Sequence, residues 1–409
     1  MKDFVTPIVS LALVLVSVAA LSFAYENSLF SPASPLERQA FRVMQACARA
    51  EYKPACYDRE IPRLMDEGFS MEEAFEVTRI VQEKTGGYFY CHVLGHKLAA
   101  KETAKDPSSW TEVIARCPTG VCSNGCLHGA AQERFRSDVL SEGEITTLLP
   151  SLRNVCVSSA SRIFSNLEEA SCIHSLGHLS MYITGGDIRR SLGICDSVVP
   201  SESGFDYLRT CYEGAFMQIF QTLEPEDIAL VQHIPAKTTV EAEAFCGTFT
   251  DPLAHAACRQ ESWPLYWPTL QTGSGLESFC SFSPDPAVKT TCYTAMFYVF
   301  TAQYELDKGR ILSLCESVPE ERTAQCFANS ASRLIETDYR LAKDAVSLCA
   351  IADKKGLGER CYKELLYYSS FNYRQGSEGF HALCSALPDA WGEKCENGEG
   401  RFVRFDSSE

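Results

Sequence analysis

Residues 311–327 read ILSLCESVPEERTAQCF, and residues 345–362 read AVSLCAIADKKGLGERCY. In each, an apolar run ends in Leu-Cys, a polar loop broken by Pro or Gly follows, and a second Cys with an aromatic neighbour opens another apolar-spaced segment. Phe380 to Cys384 repeats the beginning of the pattern, and Cys292-Tyr293 repeats its end. The second half of the chain contains the pairs Cys246/Cys258, Cys280/Cys292, Cys315/Cys326, Cys349/Cys361 and Cys384/Cys395. First members lie 34, 35, 34 and 35 residues apart, and second members 34, 34, 35 and 34 apart. A fixed period of this size marks a helical-hairpin repeat. It predicts an all-α, solenoid-like chain of stacked hairpins, with one helix ending at the first Cys, a loop of ten or eleven residues, and the next helix starting at the second Cys. A disulfide closing each hairpin would stabilise it by about 3 kcal/mol, and stacking would bury a core that no hairpin forms alone.

Working outward, the first half follows the same rule with looser spacing. Cys117, Cys156 and Cys195 are 39 residues apart, with Cys126, Cys172 and Cys211 as their partners. Cys47/Cys56 closes an early hairpin, and Cys91 pairs with Cys122 by elimination. The long gap between Cys211 and Cys246, with Pro225 and Pro235, is the best internal boundary. The organisation expected is a duplicated His/Cys helical module over 39–222 and a repeat solenoid over 223–409. By period and Cys placement, residues 110 to 400 resemble the tetratricopeptide-type families of α/α repeats, above all the secreted cysteine-rich variety. That resemblance implies a fold and protein partners; it implies no catalytic residues.

Twenty cysteines in a chain of 409 residues also speak of compartment, since disulfides persist where the surroundings oxidise. Val5 to Ala24 is an uncharged stretch long enough to cross a membrane, with Ser22-Phe23-Ala24 as a small-residue cleavage site. Residues 1–24 read as a signal peptide or membrane anchor, and 25–38 as a linker. Either way the rest of the chain is exported, to a periplasm, a cell surface or the medium. With 37 basic and 53 acidic residues the net charge is −16, which argues against nucleic acid as a partner. An envelope or secreted protein and, through the N-terminal segment, the membrane remain as partners.

Five of the eight histidines fall between 92 and 178. Cys91-His92-Val93-Leu94-Gly95-His96 is echoed by Cys172-Ile173-His174-Ser175-Leu176-Gly177-His178, sharing H-x-L-G-H. The His-x3-His spacing puts two imidazoles on one helical face, as in helical zinc sites. The glycine between them disfavours helix and is better explained by close approach of another backbone. A second echo, Cys126-Leu127-His128-Gly129-Ala130 against Cys211-Tyr212-Glu213-Gly214-Ala215, is followed by Gln132 and Gln218. The expected ligands are therefore His92, His96 and His128 in one copy and His174, His178 and Glu213 in the other, with Gln132 and Gln218 supporting them. Zn, Cu or Fe would suit such a set.

Other readings compete with this one. Each His could simply hydrogen-bond a backbone carbonyl; Cys117, Cys122, Cys126 and His128 could form a Cys3His zinc knot; non-covalent haem could sit between two His. Glu168 and Glu169 read as part of a solvated face, and the clusters Tyr88 to Tyr90, Tyr293 to Phe300 and Tyr367-Tyr368 as core. There is no nucleophile elbow, phosphate loop or dinucleotide fingerprint. The leading expectation is an extracytoplasmic, membrane-tethered metal-binding protein. A non-catalytic repeat scaffold and a metal- or haem-dependent redox enzyme are the rivals.

Overall fold

A computed structural model of the chain describes residues 34–402 apart from 137, 160–161, 200–205 and 223–224. The hydrophobic segment 1–24 lies outside the described residues. Among these residues there are 22 α-helices and no strand, and no helix is long and apolar enough to cross a membrane. The first helix, Pro35–Ala46, starts inside the stretch read as a linker, because Ser34 and Glu37 form a reciprocal cap around Pro35. Ser70/Glu73, Ser141/Glu144, Ser165/Glu168 and Thr238/Glu241 begin later helices in the same way.

All ten expected cysteine pairs are joined, from Cys47–Cys56 to Cys384–Cys395, including Cys91–Cys122, which was assigned by elimination. No free cysteine is left among the described residues. This removes the zinc knot, since Cys117, Cys122 and Cys126 have no thiolate to offer. Ten disulfides also fit an oxidising, extracytoplasmic environment.

The hairpin geometry differs from the expected one. Second cysteines do not open their helices: Cys258 lies well inside Pro252–Glu261, Cys292 inside Pro286–Gln303 and Cys326 inside Glu320–Thr337. The cause is local. Asp251-Pro252 and Asp285-Pro286 are start signals, the Asp251 side chain accepting the Leu253 and Ala254 N–H groups and that of Asp285 the Ala287 N–H. The connections in the second half are accordingly short, and bridges such as Cys246–Cys258 and Cys280–Cys292 staple the end of one helix to the flank of the next.

Buried side chains form two clusters, one drawn from residues 40 to 258 and the other from 270 to 395. Neighbouring helices in sequence pack together, as where Glu320–Thr337 lies against Ala342–Asp353 and Gly358–Asn372. The chain also returns on itself. Gly358–Asn372 touches the Asn166–Ile183 helix, Arg340 donates to Gln82, and the Tyr339 N–H meets the Gly120 carbonyl at 3.4 Å. That return forms a partly open cavity lined by residues of both parts.

Candidate metal centre

Two helix pairs carry the histidines: His92–Thr103 with Gly125–Phe135, and Asn166–Ile183 with Tyr207–Phe220. Both pairs pack backbone to backbone. A Cβ on Gly125 would stand 2.2 Å from the His92 carbonyl oxygen, and one on Gly129 2.2 Å from that of His96. In the second pair a Cβ on Gly177 would stand 2.0 Å from the Cys211 oxygen, and one on Gly214 2.1 Å from that of His174. Only glycine permits such proximity. It fixes the helix register, and with it the position of each glutamine: Gln132 Oε1 lies 3.0 Å from His96 Nδ1, and Gln218 Oε1 lies 2.8 Å from His178 Nδ1.

The five imidazoles form one cluster. His92 and His96 face each other Nε2 to Nε2 at 3.0 Å, and His174 and His178 do so at 3.2 Å. His128 lies between the pairs, its ring centre 4.9 Å from His92, 5.1 Å from His96, 5.3 Å from His174 and 5.9 Å from His178. Ligand atoms of His92, His96 and His128 all lie within 4.8 Å of one another, a group able to hold a metal ion. His92 Nδ1 points at the Ser123 carbonyl at 3.2 Å, and His128 Nε2 at the Ser171 carbonyl at 3.0 Å. A carbonyl only accepts, so these nitrogens carry the protons. The lone pairs are then left on Nε2 of His92 and Nδ1 of His128.

Backbone strain supports this wall. Cys122, Ser123 and Asn124 are consecutive and left-handed, with φ of 51°, 46° and 57°, at about 1–2 kcal/mol each for residues with a Cβ. The Cys91–Cys122 bridge anchors the turn, which presents the Ser123 carbonyl to His92, while Asn124 Nδ2 donates to Ser171 Oγ at 3.2 Å.

Burial holds all five imidazoles neutral. Desolvation, reinforced by the nearby Arg333 guanidinium, pushes His92 down to about 4. It likewise lowers His96, His128, His174 and His178, the first three well below the usual value. Neutral imidazole is the ligating form.

The sixth expected ligand is elsewhere engaged. Glu213 Oε1 is 2.8 Å from Arg209 Nε and accepts from Gln260 Nε2 at 2.9 Å. No described carboxylate belongs to the three-ligand group. A haem plane does not fit between facing nitrogens 3.0 Å apart: axial nitrogens stand on opposite sides of an iron, each about 2 Å from it.

His92, His128 and His174 line a cavity of about 520 Å³. Its far wall comes from the second part of the chain, with Tyr298, Arg333, Glu336 and Tyr368, so the aromatic clusters read as core divide. Tyr293 and Phe297 are fully buried, whereas Tyr90, Tyr298 and Tyr368 face the cavity. Arg333 pairs with Glu336 and keeps a buried Nε with no hydrogen-bond partner. Glu261, also on the wall, has its carboxyl raised above the usual carboxylate range by burial and by the neighbouring Glu213. Tyr298, Arg333, Glu336 and Tyr368 carry no local motif; only the return of the chain brings them to the histidines. Glu168, read as solvated, is buried and paired with Arg162, which also donates to the Ile114 and Cys117 carbonyls. The remaining histidines stand apart: His255 packs on Phe282, and His381 meets Glu396 at the surface.

No protein-family model, curated protein or solved structure matches the chain. Function is therefore argued from the site itself.

Proposed function

We propose that this protein is an exported metal-binding protein whose ion is held by His92, His96 and His128. The convergence of these three ligand atoms within 4.8 Å carries the reading. An all-imidazole set suits Zn, Cu or Fe rather than Mg or Ca, and three protein ligands leave a coordination position for a water or an exogenous ligand. Gln132, and the Ser123 and Ser171 carbonyls, orient the imidazoles in the manner of supporting groups around a metal. Tethering by residues 1–24 is part of the proposal. The scaffold alternative requires imidazoles pointing in different directions, and convergence disfavours it.

The test uses the chain exported with its disulfides formed, stripped with a chelator and reloaded with Zn(II), Cu(II) or Co(II). Elemental analysis should find bound metal in the native protein and a loss in His92→Ala/His96→Ala. Absence of any bound transition metal under all three loadings would sink the proposal.

A metalloenzyme is the second reading, favoured by the cavity. It places a buried carboxyl, Glu261, whose surroundings favour its protonated form, and a partly unpaired guanidinium, Arg333, on the walls of the space the histidines face. A small anionic molecule is the substrate class this supports, since a dication bound by neutral imidazoles has uncompensated charge.

A further inference from the structure

We propose that His174 and His178 hold a second metal ion, making a two-ion centre with His128 packed between the imidazole pairs. The inference rests on the metal-binding reading of the first group and adds a position to it.

The hydrogen-bond pattern around the second pair carries it. His174 Nδ1 faces the Thr210 carbonyl at 3.2 Å; a carbonyl has no proton to give, so Nδ1 carries the hydrogen and Nε2 the lone pair. For His178 the partner is an amide, and its orientation decides. Gln218 Nε2 donates to the Tyr182 hydroxyl oxygen at 3.3 Å, and Tyr182 in turn donates its proton to Asp227. A flipped Gln218 would set its carbonyl against a hydroxyl oxygen whose proton is already engaged, and an NH2 against Nδ1. Gln218 Oε1 therefore faces His178 Nδ1, 2.8 Å away, and accepts its N–H. His178 Nε2 is left bare as well.

Two bare nitrogens thus meet at 3.2 Å. Neither can donate to the other, and lone pairs at that distance repel unless a cation sits between them. Metal–nitrogen bonds of about 2.0–2.1 Å at an interligand angle near 100° separate two ligand nitrogens by about 3.2 Å. The buried relay from Asp227 through Tyr182 and Gln218 is a carboxylate-backed support for a ligating imidazole, and Asp227 is only 4% exposed. His174 lines the cavity, so the ion's remaining positions are open to water or an anion from it. Glu213, held by Arg209 and Gln260, does not fill them.

The experiment titrates the chelator-stripped, disulfide-intact chain with Zn(II) and counts ions per chain by plasma mass spectrometry. Two are expected for the native protein and one for His174→Gln/His178→Gln. Tyr182→Phe keeps every imidazole but breaks the relay. It should weaken one of the two ions by about 10- to 100-fold and leave the other unchanged, which a purely structural role would not do. One ion per chain, unmoved by the double substitution, overturns the second position while the first reading stands; no ion overturns both. If the double variant does not fold, Tyr182→Phe decides alone, and unaltered binding of both ions counts against the proposal.

Discussion

Single residues in this protein are set by what surrounds them, and Glu364 shows this most simply. It is fully buried, accepts from Asn329 Nδ2 at 2.7 Å, and has its carboxyl pushed by burial up to about 8 from 4.5. Between those two values the folded chain holds a proton that the unfolded chain has lost. Stability contributed by the protonated form is therefore complete below about 4.5 and falls as pH rises towards 8. Urea midpoints at pH 5 and pH 9 should differ in that direction, and Glu364→Gln should flatten the dependence. If the variant keeps the full pH dependence, the proton is held elsewhere. The histidines obey the same logic. Their proton positions follow from which nitrogen faces a carbonyl, something no residue type declares on its own.

At the scale of helices, glycine is the decisive residue. Gly177→Ala would press a methyl into the Cys211 carbonyl, 2.0 Å away, and force the paired helices apart. We expect a loss of about 1–3 kcal/mol or more in a denaturant titration, with weaker metal binding because His178 and Gln218 lose register. Gly193 lies inside the Ile188–Val198 helix with nothing within 4 Å of its missing Cβ. Gly193→Ala should stabilise by up to about 1 kcal/mol, and a loss there would mean the contacts are misread. The disulfide that anchors the left-handed turn offers a third comparison. Cys91→Ser/Cys122→Ser frees Ser123 from the wall of the site, so it should weaken metal binding. Cys384→Ser/Cys395→Ser, far along the array, should cost stability alone. Equal metal affinity in the two double variants would argue against a role for the turn.

Across the whole molecule, the return of the second part onto the first makes the cavity. A bound ion should stabilise the entire chain by mass action, about 2.7 kcal/mol at a free concentration of 100 Kd. Calorimetry should register this as a melting temperature several degrees lower after chelation. A melting temperature indifferent to metal would leave the histidines as packing. How much of this was legible beforehand varies by feature. The five bridges of the second half were, because each joins neighbouring helices of a unit that repeats at a fixed period; those of the first half followed from looser spacing, and Cys91–Cys122 only by elimination. The helix starts were misjudged, because Asp-Pro caps at 251–252 and 285–286 overrode the cysteine landmarks. The close approach of helices at Gly95 and Gly177 was legible, because a glycine inside a helix needs a reason. The engagement of Glu213 by Arg209 was not: the echo with His128 specifies a position, and the partner that occupies it comes from the packed environment.

Sequence alone determined the local and the periodic: an all-helical chain, its covalent pairing, and the duplicated H-x-L-G-H segments that put two imidazoles on one helical face. These follow from short-range geometry, which repeats wherever the residues repeat. Tertiary structure alone decided that both imidazole pairs share one cluster around His128. It also decided that Asp227 reaches His178 through Tyr182 and Gln218, and that Arg333, Tyr298 and Tyr368 close the space they face. Those are contacts between segments far apart in the chain, set by how helices stack and where the array turns back, and no local spacing encodes them.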